Sequence, residues 1–96
     1  MYASVRRYRV TGSAKDIAQK AEAGLVPIFK QNPGFVAYYI VDGGDGHVAS
    51  ISVFESGEAA HASNEQAAAW VKENVSQLVP DAPQITHGEV LVSVRA

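Results

Sequence analysis

The chain has 96 residues, 47% of them apolar and 19% charged, with a formal net charge of −2 and a pI near 5.8. This is one small domain of ordinary globular composition, and so short a chain buries only a modest share of its surface, which makes self-association a useful further source of stability. No basic run is long enough to track phosphates, so neither nucleic acid nor an acidic membrane is an expected partner, and the absence of cysteine removes disulfide and thiolate chemistry.

The opening "MYASVRRYRV" lacks the apolar stretch of a signal peptide, and no segment approaches the roughly 20 apolar residues that span a bilayer, so the cytoplasm is the expected compartment. Residues 2 to 11, "YASVRRYRVT", carry β-branched and aromatic residues without a breaker and read as a strand closed by Gly12. Ser13 can cap a helix, with Asp16 near its positive end. Ile17, Ala21, Gly24, Leu25 and Ile28 share one side of that helix, and Pro27 should bend or break it. "NPG" (32 to 34) is a stop, "FVAYYIVD" (35 to 42) a strand, and "GGDG" (43 to 46) supplies the positive-φ residues of a tight connection to "HVASISVFE" (47 to 55). Ser56 or its neighbour starts a second helix, rich in Ala and Glu, that ends before Pro80. The run "QITHGEVLVSVR" (84 to 95), with its "VLVSV", is the last strand.

The order βαββαβ in so short a chain predicts a ferredoxin-like α+β fold: a four-stranded antiparallel sheet in spatial order 4-1-3-2, with two helices on one face. The hairpin is apolar on both faces, Phe35, Ala37, Tyr39 and Val41 alternating with Val36, Tyr38 and Ile40, so both faces need cover. Residues 35 to 42 and 84 to 95 would be edge strands. A second copy packed sheet to sheet about a two-fold axis covers the free face, so a homodimer is expected.

The stretch "NPGFVAYYIVDGGDGHVASISVFESGEAAHASNEQAAAWV" (32 to 71) resembles the antibiotic biosynthesis monooxygenase (ABM) domain family of the dimeric α/β-barrel superfamily. The resemblance rests on the "PGF" strand entry, the hairpin ending in an aromatic plus "ES", and a helix with "AA.ASN…W", and it extends over residues 1–96 as a single domain. It implies a dimeric α/β barrel. That family includes cofactor-independent monooxygenases of aromatic or quinol-type molecules, haem-degrading enzymes and many proteins with no known activity. The first activity implies no bound cofactor. The haem mode implies an Asn on the first strand and a proximal His near the end of the second helix, where this chain has Arg6 and Pro80.

On a helical wheel of about 100° per residue, Ala60, Asn64, Ala67, Val71, Val75 and Leu78 share one side. Asn64 should therefore point inward, where an unpaired amide costs about 1–3 kcal/mol, and it needs either a protein partner or a pocket. Trp70 falls on the flank of that side, and Ala67, Ala68 and Ala69 beside it leave room for a planar ligand. The resemblance associates an Asn and a Trp of this region with substrate, and Asn64 and Trp70 are the residues here that could correspond.

Arg6 alternates onto the side of Tyr2, Tyr8 and Val10 in a strand that should be central. Two roles stay open for it: pairing with an acid such as Glu55 or Glu89, or stabilising an enolate, a phenolate or a carboxylate in a pocket. Tyr38 and Tyr39 face opposite sides; Tyr39, which shares a face with Phe35, is expected in the pocket. A slip of one residue in register would exchange Tyr39 with Tyr38 and Arg6 with Arg7. His47, His61 and His87 show no metal-ligand spacing, so no metal is expected, and no phosphate loop or nucleophile motif occurs. The candidates are thus Asn64, Trp70 and Arg6 for catalysis and Tyr39 and Ala67 for substrate contact. They fit either a cofactor-independent monooxygenase or a non-catalytic, small-molecule-binding or structural homodimer. An aromatic-sized cavity at Arg6, Asn64 and Trp70 would favour the enzyme; a filled core with Arg6 paired to an acid would oppose it.

Overall fold

A computed structural model describes residues 1–96. Strand β1 (Tyr2–Arg9) leads to helix α1 (Ala14–Gly24) and the short helix α2 (Val26–Lys30), then to the hairpin β2 (Phe35–Asp42) and β3 (His47–Phe54). Helix α3 (Gly57–Asn74) and strand β4 (Gln84–Glu89) complete the chain. The four strands are antiparallel in the order β2-β3-β1-β4, which is the expected ferredoxin-like arrangement. No helix is long and apolar enough to cross a membrane.

Local chemistry accounts for the boundaries. Ser13 accepts from the Asp16 backbone N–H and Ser56 from that of Ala59, each satisfying one orphan donor of its helix. Pro27 stands in the first turn of α2, where its missing N–H costs nothing, and the first helix accordingly divides at Leu25. Gly34, Gly44 and Gly46 have φ of 76°, 76° and 84°, the left-handed conformations that "NPG" and "GGDG" were expected to supply.

The helices cover one face of the sheet. Tyr8, Phe54, Phe29, Leu25, Ala60 and Trp70 are among the residues of the single buried cluster between the two layers. Phe29 packs edge-on to both Tyr38 and Phe54. On α3 the buried line is Ala60, Ser63, Ala67 and Trp70, so the inward side is rotated by about one residue from the expected one. Trp70 belongs to the core rather than its flank, Asn64 is half-buried at the edge of the line, and Ala68 and Ala69 are exposed.

Two expectations are corrected by the sheet. Phe35 stands opposite Phe54, yet Ala37 stands opposite Val53, so an irregularity at residues 35 to 37 inserts one residue and inverts the alternation beyond it. Phe35 therefore lies under the helices together with Tyr38 and Ile40, while Tyr39, 58% exposed, faces away and cannot line an interior pocket. The last strand also stops early. Val90 N–H reaches the Met1 carbonyl, the final rung of the β1–β4 ladder, and beyond it residues 91 to 96 have no strand alongside. Leu91, Val92 and Val94 are consequently 85%, 79% and 87% exposed. This tail borders, with Val36, Ala37, Tyr39 and Val53, a hollow of about 510 Å³ on the open face of the sheet.

Candidate functional site

The inner face of the two central strands should be apolar by position, yet β1 places Ser4 and Arg6 there and β3 places Ser50 and Ser52. All four are buried, and Arg6 has no exposed surface. Its Nη1 donates to Ser52 Oγ (3.0 Å) and Asn64 Oδ1 (2.9 Å), with Ser63 Oγ farther off at 3.4 Å, and its Nη2 donates to Ser50 Oγ (3.1 Å). Ser63 donates its own proton to the Ala60 carbonyl at 2.6 Å and so accepts from Ser52 at 2.9 Å. The Phe29 ring lies beneath the guanidinium, its centroid 5.5 Å from Cζ, in cation–π range.

Every acceptor in this cluster is neutral. The ion pairs of the protein are Arg9 with Asp81 and, when the imidazole is protonated, His47 with Asp45; Arg6 pairs with neither Glu55 nor Glu89, so of the two roles left open for it pairing with an acid is overturned. The Arg6 Nε–H is buried without any partner. Burial pulls the guanidinium below its ordinary pKa, with Tyr8 and Tyr38 offsetting part of the effect. A buried cation with hydroxyl and amide acceptors but no counter-charge is costly to hold, and a carboxylate or other anion is what its surroundings lack.

Tyr38 carries this cluster outward. Its Oη lies 2.8 Å from Ser50 Oγ, which already accepts from Arg6. The same side chain lines two spaces. Inside, a cavity of about 30 Å³ lies against Tyr8, Tyr38, Ser50 and Trp70 and is otherwise walled by aliphatic residues; it has room for one water and not for an aromatic ring. Outside, an open groove of about 460 Å³ runs between α1, α2 and β2, with Ala18, Val26, Phe35, Tyr38 and Ile40 as its apolar lining and Gln19, Glu22 and Lys30 at its rim. That volume is in the range of small-molecule sites.

Of the candidates named from sequence, the fold therefore joins Arg6 and Asn64 directly, puts Trp70 at the back of the inner cavity, and buries Ala67 on the same helix face. Neither Asn64 nor Arg6 lines the groove. Three polar members, Ser50, Ser52 and Ser63, went unrecognised, and Tyr38 entered only as the residue that a slip in register would exchange for Tyr39. The two serines of β3 were detectable, because "VASISVF" alternates them onto one face of a central strand where apolar residues are the rule.

Comparison with known proteins supports the fold. No family model matches the sequence, and no curated relative matches it. Solved structures match over nearly the whole chain. A monooxygenase from the gene ActVA-Orf6 of Streptomyces coelicolor, crystallised with nanaomycin D, shares 20% identity at a TM-score of 0.74, over 99% of this chain and 91% of that one. A protein of unknown function from Nitrosomonas europaea shares 18% at a TM-score of 0.73, over 99% and 93%. A MhuD variant holding two manganese protoporphyrin IX per active site shares 20% at a TM-score of 0.70, with both chains covered in full. Antibiotic biosynthesis monooxygenase structures match it as well, at TM-scores of 0.64 to 0.72, and the chain has their fold.

Proposed function

We propose that the protein is a homodimeric, cofactor-independent monooxygenase that binds an electron-rich aromatic or quinol-type molecule, as its anion, in the groove beside Tyr38. The observation that carries this reading is Arg6: a fully buried guanidinium held by neutral oxygens with no carboxylate. Its charge reaches the groove along a polarised chain. Arg6 N–H donates to Ser50; with the Ser50 hydroxyl donating in turn to Tyr38, one of the two directions that their 2.8 Å contact allows, the Tyr38 O–H is left to donate to an oxyanion in the groove. Successive hydrogen bonds of one direction strengthen one another in a low-dielectric interior.

The chemistry needs little else from the protein. Stabilising the substrate anion raises its population at neutral pH, and the anion is the form that reduces O2; transfer of an electron and recombination form a C–O bond and give a hydroperoxide. Loss of water from the hydroperoxide leaves a carbonyl, so that a ring methylene and O2 become a ring ketone and water. The apolar groove walls give the ring a surface to pack on beside Tyr38. Asn64 orients the guanidinium from the other side and Trp70 closes the space behind Tyr38.

The open sheet face supports the dimer. Val5, Ile51, Val53, Ala37, Tyr39 and Val41 form an apolar surface there, and the unpaired tail runs beside it. A second copy supplies cover for the face and an edge for the tail. The small inner cavity favours a second reading, a non-catalytic binding dimer. Oxygen uptake separates the two: with quinols and anthrone-like phenols, wild type should consume O2 well above the uncatalysed rate and Arg6→Met should not. Saturable binding without uptake would leave the binding dimer.

A further inference from the structure

We infer that His61 and His87 form a two-imidazole site for a borderline transition-metal dication, Cu2+ in preference to Ni2+ or Zn2+. The site is independent of the groove and lies at the opposite edge of the sheet, since β4 and β2 are the two outer strands. His61 is on α3 and His87 on β4, far apart in sequence, and the fold brings their ring centroids to 5.6 Å at an interplanar angle of 69°. Metal–nitrogen bonds of about 2.0–2.1 Å put two imidazole centres roughly 4.5 to 5.5 Å apart as the N–metal–N angle opens from square-planar to tetrahedral, so the observed separation is within a ring adjustment of that spacing, and His61 is exposed and able to turn.

The second observation is the hydrogen bond at His87 Nδ1. Ser4 has no exposed surface, and its hydroxyl donates to the Ala60 carbonyl at 3.0 Å. Its oxygen lies 2.8 Å from His87 Nδ1, and with its own proton committed it accepts there. In its neutral form His87 is therefore the Nδ1–H tautomer, with the lone pair on Nε2. A buried hydroxyl that holds one ring nitrogen and leaves the other free is the outer-shell arrangement that orients a metal-binding histidine. No third His, Cys, Asp or Glu completes a cluster, so water fills the remaining positions, and a set of two neutral nitrogens plus water ranks the metals with copper first.

A metal there ties α3 to the edge strand from which the unpaired tail departs, and by linkage it raises the thermal midpoint. The test is calorimetric titration of metal-free, full-length protein with CuCl2 and NiCl2, with thermal unfolding in parallel. Wild type should bind one equivalent per chain, Cu2+ more tightly than Ni2+, with an increased Tm. His61→Gln and His87→Gln should each abolish the Tm shift and weaken binding by at least about tenfold, Ser4→Ala should weaken it by about tenfold while leaving both imidazoles present, and His47→Gln should change nothing. Because His61 is exposed, its variant keeps the test valid if Ser4→Ala or His87→Gln fails to fold. The proposal is overturned by an absence of saturable binding, by binding that survives His61→Gln, or by loss of binding in His47→Gln. In those outcomes the two rings form an edge-to-face aromatic contact and nothing more.

Discussion

Arg6 Nη1 donates to the amide oxygen of Asn64 at 2.9 Å, the position from which a carboxylate would have neutralised the buried cation. Asn64→Asp supplies that charge. It should stabilise the fold at neutral pH by about 1–2 kcal/mol, because a hydrogen bond to an ionised partner exceeds a neutral one. It should also abolish binding of anionic ligands. The introduced carboxyl, beside a cation, has a folded pKa below its unfolded value near 3.9, so the gain is present above about pH 4 and is lost as pH falls through the folded value. Urea unfolding of both proteins at neutral and acid pH checks the magnitude and the sign.

Alkaline stability should be controlled by two of the four tyrosines. Burial pushes Tyr8 and Tyr38 above the ordinary phenol value, Tyr8 against the lowering influence of Arg6 and Tyr38 against that of Ser50 and Arg6. A raised folded pKa means a contribution that is whole below about pH 10 and disappears as pH rises through the folded value. Phenolate absorbance should therefore show two tyrosines ionising together with unfolding, and Tyr38→Phe should remove one of them and make the fall in stability less steep.

Gly24 is where α1 approaches the indole. A Cβ added there would stand 2.7 Å from Trp70 Nε1. Gly24→Ala gains up to about 1 kcal/mol of helix propensity and incurs an overpacking cost of about 1–3 kcal/mol, so net destabilisation is expected. Trp70, the only tryptophan, should report the shift by its emission alongside the denaturation midpoint.

Deleting residues 91 to 96 should leave the β1–β4 ladder intact, since Val90 N–H makes its final rung, but weaken the proposed dimer by removing Leu91, Val92 and Val94. Sedimentation of the truncated and intact chains at several concentrations tests this. Self-association unchanged by the truncation would show that the tail plays no part in the proposed interface.

Element order, sheet topology, both N-caps and the break at Pro27 were legible because each follows from local chemistry: a periodicity, a hydroxyl before an apolar run, a missing N–H. The exchange of Tyr39 for Tyr38 was not, because one inserted residue at positions 35 to 37 inverts the alternation and leaves no mark in "PGFVAYY". The end of β4 was misplaced for another reason: "VLVSV" has the pattern of a strand, but pairing requires a neighbour, and β1 provides none beyond Met1. Arg6 was placed on the correct face, yet its partners depend on which residues of β3 and α3 meet it across the core, and these long-range contacts have no signature at Arg6 itself. The meeting of His61 with His87 is hidden for the same reason.

The central claim is that the buried charge of Arg6 selects an anion through Ser50 and Tyr38. The most direct measurement follows Trp70 fluorescence while titrating a hydroxynaphthoquinone, anionic at neutral pH, and its neutral methyl ether against wild type and Arg6→Met. The anion should bind wild type at least about tenfold more tightly than the ether, a preference of about 1.4 kcal/mol, and the preference should vanish in a folded Arg6→Met protein. Equal affinities in wild type, or a preference that survives the substitution, would contradict the account and leave Arg6 as a structural residue of the core.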